Sequence, residues 1–189
     1  MKGRKIRIRQ GVKGWLLALA MVLSLCSVCA QQSQSSSSNL MQDVDTDKKG
    51  SIEILFDTMR DEPVANAEFT LYQVAAMVDR GGYTVLELTG GFEGCSVQLK
   101  NLTAQQSKEA SAALLEYQRA NHISGDTKRT DANGKISWTD LQTGLYLLVP
   151  GQMQKYRTDP SLVSIPTNLN SQLLYDMSVN PKAERIPDP

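Results

Sequence analysis

Short apolar segments of strand length recur from residue 50 onward, and residues that favour turns separate them. Ile52, Ile54 and Phe56 occupy every second position, which is the side-chain period of a β-strand. Further segments of this length lie at 67–74, 83–88, 136–138, 144–149, 162–165 and 173–179. Because Gly, Pro and Asn punctuate them, the spacing is typical of a β-sandwich. The sequence therefore predicts a mainly β domain of about seven strands.

One segment departs from the strand pattern. Thr103 and Gln106 form the signature of a capping box at a helix N-terminus. Beyond it, apolar residues recur at i, i+3, i+4 and i+7, at Ala110, Ala113, Leu114 and Tyr117. This period predicts one inserted helix over 103–121, with an apolar stripe packed against the rest of the domain.

The stretch 130–134 ends in an Asn-Gly pair between two apolar segments. Asn133 and Gly134 can adopt the positive φ that a tight hairpin turn needs. We therefore expect a β-hairpin here, continued by the strand at 136–138.

The first 30 residues have the composition of a secretory signal. Six basic and no acidic residues precede an apolar run at 15–28, and Val28 and Ala30 occupy the −3 and −1 positions of a cleavage site before Gln31. The alternative, a membrane anchor, fits less well because the run is shorter than the roughly 20 residues that a spanning helix needs. We expect 1–30 to be removed on export, leaving no membrane span in the mature chain. Residues 31–47, rich in Ser, Gln and Asp, are predicted to form a flexible linker.

Export would change both the charge and the cysteine content. The whole chain has 20 basic and 20 acidic residues, so losing the six basic residues of the signal leaves 14 and 20, a net charge of −6. That charge argues against nucleic acid and anionic lipid as partners. Cys26 and Cys29 lie in the signal, so Cys95 remains alone and no internal disulfide can form. A secreted domain stabilised by its core alone fits a Gram-positive source.

Three parts of the sequence, taken in chain order, carry a resemblance to a known family. They are GSIEI (50–54) with PVANAEFTLY (63–72), TDANGKI (130–136) with LQTGLYLLV (141–149), and YDMSVNPK (175–182). Together they resemble the prealbumin-like, Cna B-type domain of Gram-positive pilin subunits and surface adhesins. The resemblance implies an immunoglobulin-like or prealbumin-like β-sandwich over 48–182, with 183–189 as the start of a Pro-rich tail. It also implies a secreted or cell-surface location.

Many domains of the family that this chain resembles share an internal isopeptide bond. A Lys on the first strand joins an Asn on the last strand, helped by a buried acid. Burial favours the neutral amine and the protonated acid that this chemistry requires. Here Leu55 and Phe56 stand where the Lys is expected, and Pro150 stands where the acid is expected. Asn180 is a candidate acceptor without these partners, so we expect no internal isopeptide bond.

The last strand also resembles the pilin motif, in which a sortase joins a Lys after Pro to the next subunit. Val179, Pro181 and Lys182 fit this motif, whereas Leu173, Met177 and Asn180 depart from it. The resemblance makes Lys182 a candidate inter-subunit cross-link. The alternative is a surface lysine at the exit of the domain.

No constellation in the sequence indicates catalysis, a cofactor or a metal. His122 is the only histidine, at the predicted helix end, and no G-x-S-x-G or H-E-x-x-H motif accompanies it. Cys95 has no basic neighbour that would lower its pKa. The acidic run 43–47 resembles the start of a calcium loop, but Lys48 stands where such a loop needs Gly. We expect a chain that is not an enzyme.

These observations favour a structural or adhesive surface module that resembles a pilin subunit domain. Its expected partners are other pilin or cell-wall proteins and a sortase. The alternative is a free secreted module on the same fold that binds a host protein or a glycan.

Overall fold

The structure is a computed structural model that describes residues 44–58 and 60–187. The predicted export signal and most of the predicted linker lie outside these residues. The elements follow one another as β1 (Gly50–Leu55), β2 (Asp57–Thr58), β3 (Glu68–Asp79), β4 (Thr84–Leu88), α1 (Ala104–Asn121), β5 (Asp126–Arg129), β6 (Lys135–Leu141), β7 (Gly144–Pro150), β8 (Tyr156–Arg157), β9 (Ser161–Ile165), β10 (Thr167–Leu169), β11 (Gln172–Leu174), β12 (Asp176–Val179) and β13 (Lys182–Arg185).

Two main sheets form a sandwich. One has the strand order β12-β1-β6, and the other has the order β4-β3-β7-β9 with β5 also paired to β3. Strand β1 runs parallel to β12, with Ile54 opposite Val179, and antiparallel to β6, with Ile54 opposite Ile136. The first and last long segments of the domain are therefore neighbours in one sheet. The mainly β sandwich is confirmed, with one helix among the residues that the structure describes.

The main core lies between the two sheets. Alternation along the strands buries Ile52 and Ile54 of β1 and Phe69 and Leu71 of β3 in one cluster. Trp138 of β6 belongs to the same cluster and is 1% exposed. A second cluster covers the opposite face of the five-stranded sheet. It includes Val74, Ala75, Phe92, Cys95, Leu114, Leu145 and Leu147.

The helix has the start that its sequence predicts. The Thr103 hydroxyl accepts a hydrogen bond from the Gln106 backbone N–H at 3.3 Å, and the Gln106 side-chain oxygen accepts from the Thr103 backbone N–H at 2.9 Å. Leu114 of the predicted stripe is fully buried in the second cluster. The helix ends at His122, which caps it in the left-handed conformation with φ 52°. The capping box is confirmed, and so is the apolar stripe except at Ala113, which is exposed.

The number of strands is higher than the predicted seven. Thirteen strands occur in the described residues, and several contain only two to four residues. The predicted strand at 173–179 is divided at Tyr175, because Gln172–Leu174 pairs with β10 whereas Asp176–Val179 pairs with β1. Such short strands offer too few alternating residues to show a period of two.

The Asn-Gly turn does not close the predicted hairpin. Strand β5 before it pairs with β3, and β6 after it pairs with β1, so the turn carries the chain from one sheet to the other. The Asp131 carboxylate accepts hydrogen bonds from the backbone N–H groups of Asn133 and Lys135, each at 2.8 Å. Gly134 adopts a positive φ of 73°, and Asn133 does not. The turn was predicted correctly and the pairing of its flanking strands was not.

The ordered structure continues past the boundary predicted at residue 182. Strand β13 pairs with β2 and with β8, and Ala183 at its centre is 4% exposed. Residues 183–185, which the sequence assigned to the start of a tail, therefore pack as part of the domain. At the other end, the backbone N–H of Asp45 donates to the Tyr175 hydroxyl at 3.0 Å, so part of the predicted linker contacts the domain. No helix among the described residues is long and apolar enough to cross a membrane.

Candidate functional site: Lys182 and the strand junction around it

The candidate lysine lies where the chain passes from the main sandwich to a small third sheet. Strand β12 ends at Val179, and Pro181 has no N–H with which to continue a β-ladder. The chain then forms β13, which lies between β2 and β8. Lys182 is opposite Asp57 of β2, and Glu184 is opposite Arg157 of β8. Lys182 therefore begins a paired strand, whereas the domain predicted from the sequence ended at this residue.

The side chain of Lys182 projects from the outer face of the small sheet. Ala183 points into the main core, so its neighbours Lys182 and Glu184 point outward, and both are exposed. The outward face forms one wall of an open groove of about 590 Å³. The groove is lined by Lys108, Arg157, Thr158, Asp159, Pro160, Ser161, Pro181, Lys182 and Glu184.

Charged side chains in this groove are paired, with one exception. Lys108 of the helix forms an ion pair with Asp159 at 3.0 Å, and Arg157 forms one with Glu184 at 2.8 Å. The amine of Lys182 makes no ion pair or hydrogen bond to any residue within 44–58 and 60–187. The nitrogen of Lys182 is therefore both exposed and unpaired within the described residues, so an incoming group can reach it.

Asn180, the candidate isopeptide acceptor, lies beside the first strand as the resemblance implies. In the amide orientation that satisfies its neighbours, its nitrogen donates to Asp57 Oδ1 and to the Leu55 carbonyl, both at 3.2 Å. Asn180 itself is exposed. Its polar neighbours in the described chain are thus a carboxylate and a backbone carbonyl, and neither is a nucleophilic amine.

The positions where the resemblance implies the other isopeptide partners are apolar in this chain. Phe56 is fully buried, and its ring meets that of Phe69 edge to face with centroids 5.2 Å apart. Phe69 is in turn opposite Pro150. An aromatic pair therefore fills the space between the sheets near the site where the bond would form. The absence of the bond itself remains a prediction.

The other residues considered as sites have structural surroundings. His122 is the C-cap of the helix, where its backbone N–H reaches the Arg119 carbonyl at 3.4 Å. Cys95 is buried, and burial raises the pKa of its thiol, which disfavours the nucleophilic thiolate. No group of three or more His, Cys, Asp or Glu side chains suited to a metal occurs in the described part of the chain, and Asp43 lies outside that part.

Sequence reasoning missed the residues that surround Lys182. Lys108 comes from the helix, and Arg157 and Asp159 come from the short strand β8 and the loop after it. Each reads as an ordinary surface charge in its own segment. Only the packing of the helix beside β9 brings them to one groove.

Comparisons with protein-family models and with curated proteins find no match. Several solved structures are similar to the chain. The full-length major pilin SpaD from Corynebacterium diphtheriae is 21% identical with a TM-score of 0.48, and the match covers 75% of this chain and 31% of that one. The major pilin SpaA from the same species is 24% identical with a TM-score of 0.44, covering 72% and 30%. The SpaE basal pilin from Lactobacillus rhamnosus GG is 16% identical with a TM-score of 0.47, covering 72% and 49%. The match therefore spans between 30% and 49% of the length of these pilins.

Proposed function

We propose that this chain is a non-catalytic structural module of a Gram-positive pilus or a related surface fibre, exported and displayed outside the cell. Its role is to present a rigid β-sandwich and to offer Lys182 as the point of attachment to another subunit. The observation that carries the proposal is the exposed, unpaired amine of Lys182 in an open groove directly after Val179 and Pro181.

The proposed linkage is an acyl transfer to Lys182. The Lys182 nitrogen attacks the carbonyl carbon of an acyl group that a sortase holds. An amide bond forms, the bond between the acyl group and the enzyme breaks, and the proton lost by the amine passes to a base on the enzyme. The domain itself has to supply only an accessible amine, which is consistent with the absence of a catalytic constellation in the sequence.

The position of Lys182 supports this role physically. The burial of Ala183 on one side and strand pairing with β2 and β8 hold the backbone beneath the amine. A preorganised acceptor loses little conformational freedom when an enzyme engages it. The groove beside it has room for an extended peptide segment that carries the acyl group.

The test is the formation of covalent polymers in cells that carry the cognate sortase. Wild-type cells should show high-mass ladders that contain this protein and survive boiling in detergent. Lys182→Ala should reduce them to the monomer. The matched control is Lys100→Ala, which removes another exposed lysine that lines a separate groove beside β4 and forms no ion pair within the described residues. This control should leave the ladders unchanged.

Two results would contradict the proposal. Ladders that persist in Lys182→Ala would remove Lys182 from the linkage. The absence of ladders in wild-type cells with an active sortase would favour the alternative, a free secreted module that binds a host protein or a glycan.

A further inference from the structure

Two carboxylates lie beside Lys182, one on the neighbouring strand β2 and one in the loop after β8. Asp57 is its direct partner on β2. Residues opposite one another across two strands project from the same face, so the Asp57 side chain lies on the face of Lys182. On the other side, Glu184 is opposite Arg157, and Asp159 follows Arg157 in the loop after β8. Asp159 and Lys182 indeed line the same groove.

Neither carboxylate forms an ion pair with Lys182, and each of them binds another donor. Lys108 Nζ binds Asp159 Oδ2 at 3.0 Å. The Asn180 amide donates to Asp57 Oδ1 at 3.2 Å. These donors come from outside the small sheet, since Lys108 belongs to the helix and Asn180 belongs to the linker before β13.

We propose that Lys108 and Asn180 are positioning residues that keep the Lys182 amine available for acylation by occupying the two carboxylates beside it. The inference rests on the proposed role of Lys182 as an acyl acceptor. An ammonium held by a carboxylate must leave that partner before it can lose a proton and attack a carbonyl carbon. Lys182 avoids this step because Asp159 and Asp57 are already engaged. In the reaction itself, neither Lys108 nor Asn180 touches the acyl group.

The test measures the reactivity of Lys182 in the purified full chain, with no sortase present. The protein is treated at fixed pH with a limiting amount of the N-hydroxysuccinimide ester of acetic acid, and peptide mass spectrometry gives the acetylated fraction of each lysine. Lys49, which is exposed and unpaired within the described residues, is the internal reference. In Lys108→Ala, the released Asp159 should pair with Lys182. The ratio of Lys182 to Lys49 acetylation should then fall by a factor between about 1.4 and 5, the range expected of an exposed ion pair.

A double variant separates this explanation from a general loss of structure. Lys108→Ala combined with Asp159→Asn should restore the wild-type ratio, because no released carboxylate remains. Asn180→Ala should lower the ratio in the same way through Asp57, and adding Asp57→Asn should restore it. A merely structural role of Lys108 would give no such rescue.

An unchanged ratio in both Lys108→Ala and Asn180→Ala would overturn the inference, as would a lowered ratio that persists in the double variants. The result is independent of the ladder experiment. If Lys182→Ala leaves the ladders intact, the proposed function fails while the acetylation result stands. If the ladders collapse but the acetylation ratios do not move, the inference alone fails.

Discussion

The aromatic pair of Phe56 and Phe69 between the two sheets should carry a large part of the domain's stability. Phe56 and Phe69 are both fully buried, and their rings meet at 79° with centroids 5.2 Å apart. Truncation of a buried Phe to Ala costs about 3–5 kcal/mol, because apolar contacts are lost and a cavity remains. The free energy of unfolding of a natural domain is about 5–15 kcal/mol. Phe56→Ala should therefore remove roughly a fifth or more of the total and lower the stability of the protein substantially.

A double-mutant cycle isolates the contribution of the ring pair. Phe56→Leu and Phe69→Leu preserve apolar character, so both single variants and the double variant should fold. An edge-to-face aromatic pair is worth about 0.5–1.5 kcal/mol beyond its buried area. We expect a coupling free energy of that size between the two positions.

Urea denaturation followed by tryptophan fluorescence gives the free energy of unfolding of each variant. Phe92→Leu provides the control, since Phe92 is equally buried but belongs to the second cluster on the opposite face of the five-stranded sheet. Phe56→Leu and Phe92→Leu should add without coupling. A coupling for the Phe56–Phe69 pair no larger than this control, or a loss below about 1 kcal/mol for Phe56→Ala, would refute the reasoning.

Four further predictions concern other parts of the chain. The intact mass of the purified protein should equal its sequence mass, because a deficit of about 17 Da, one ammonia, would reveal an isopeptide bond. Thr130→Val should lower the free energy of unfolding by about 2–3 kcal/mol in thermal denaturation and Thr130→Ser by less, because the buried hydroxyl accepts from the Ala67 N–H at 2.8 Å and donates to the Val64 carbonyl at 2.7 Å. Burial raises the pKa of Tyr146 to about 12 from the ordinary value of 10.0, so the unfolded state ionises first and stability should fall between pH 10 and 12, less steeply in Tyr146→Phe. Edman sequencing of exported protein should begin at Gln31 or within a few residues of it, and a start at Met1 would exclude cleavage.

The features that the sequence predicted correctly depend on residues close together in the chain. The capping box needs only Thr103 and Gln106, and the core faces of β1 and β3 follow from alternation over a few residues. Short-range hydrogen bonds and side-chain periods act in the same way whatever surrounds them. For these elements the local preferences and the final packing agree, so a pattern of one segment was enough to predict its structure.

The features that were missed depend on partners far away in the chain. Strand β5 has the sequence DTKR and no apolar alternation, but its Thr127 hydroxyl meets that of Thr70 at 2.8 Å when β5 pairs with β3. An edge strand of this kind is stabilised by backbone pairing, which composition does not reveal. The same non-local pairing explains why the Asn-Gly turn joins two sheets. Its local geometry is that of a tight turn, whereas the packing of the sheets determines which strand β5 and β6 each pair with.

The candidate site around Lys182 depends both on residues close together in the chain and on residues far apart in it. Lys182 was recognised from adjacent residues of a motif, whereas the groove around it needs the helix, β8 and β13 to come together. What links the two is Ala183, whose buried side chain sets the register of β13 against β2 and β8. A shift of one residue would turn every side chain of that strand to the opposite face, which would bury the Lys182 amine and expose Ala183. The cost of burying an unpaired ammonium forbids that arrangement. The accessibility of the candidate acceptor is therefore a consequence of the packing of its small neighbour, and it depends on the order of Lys182 and Ala183 in the sequence.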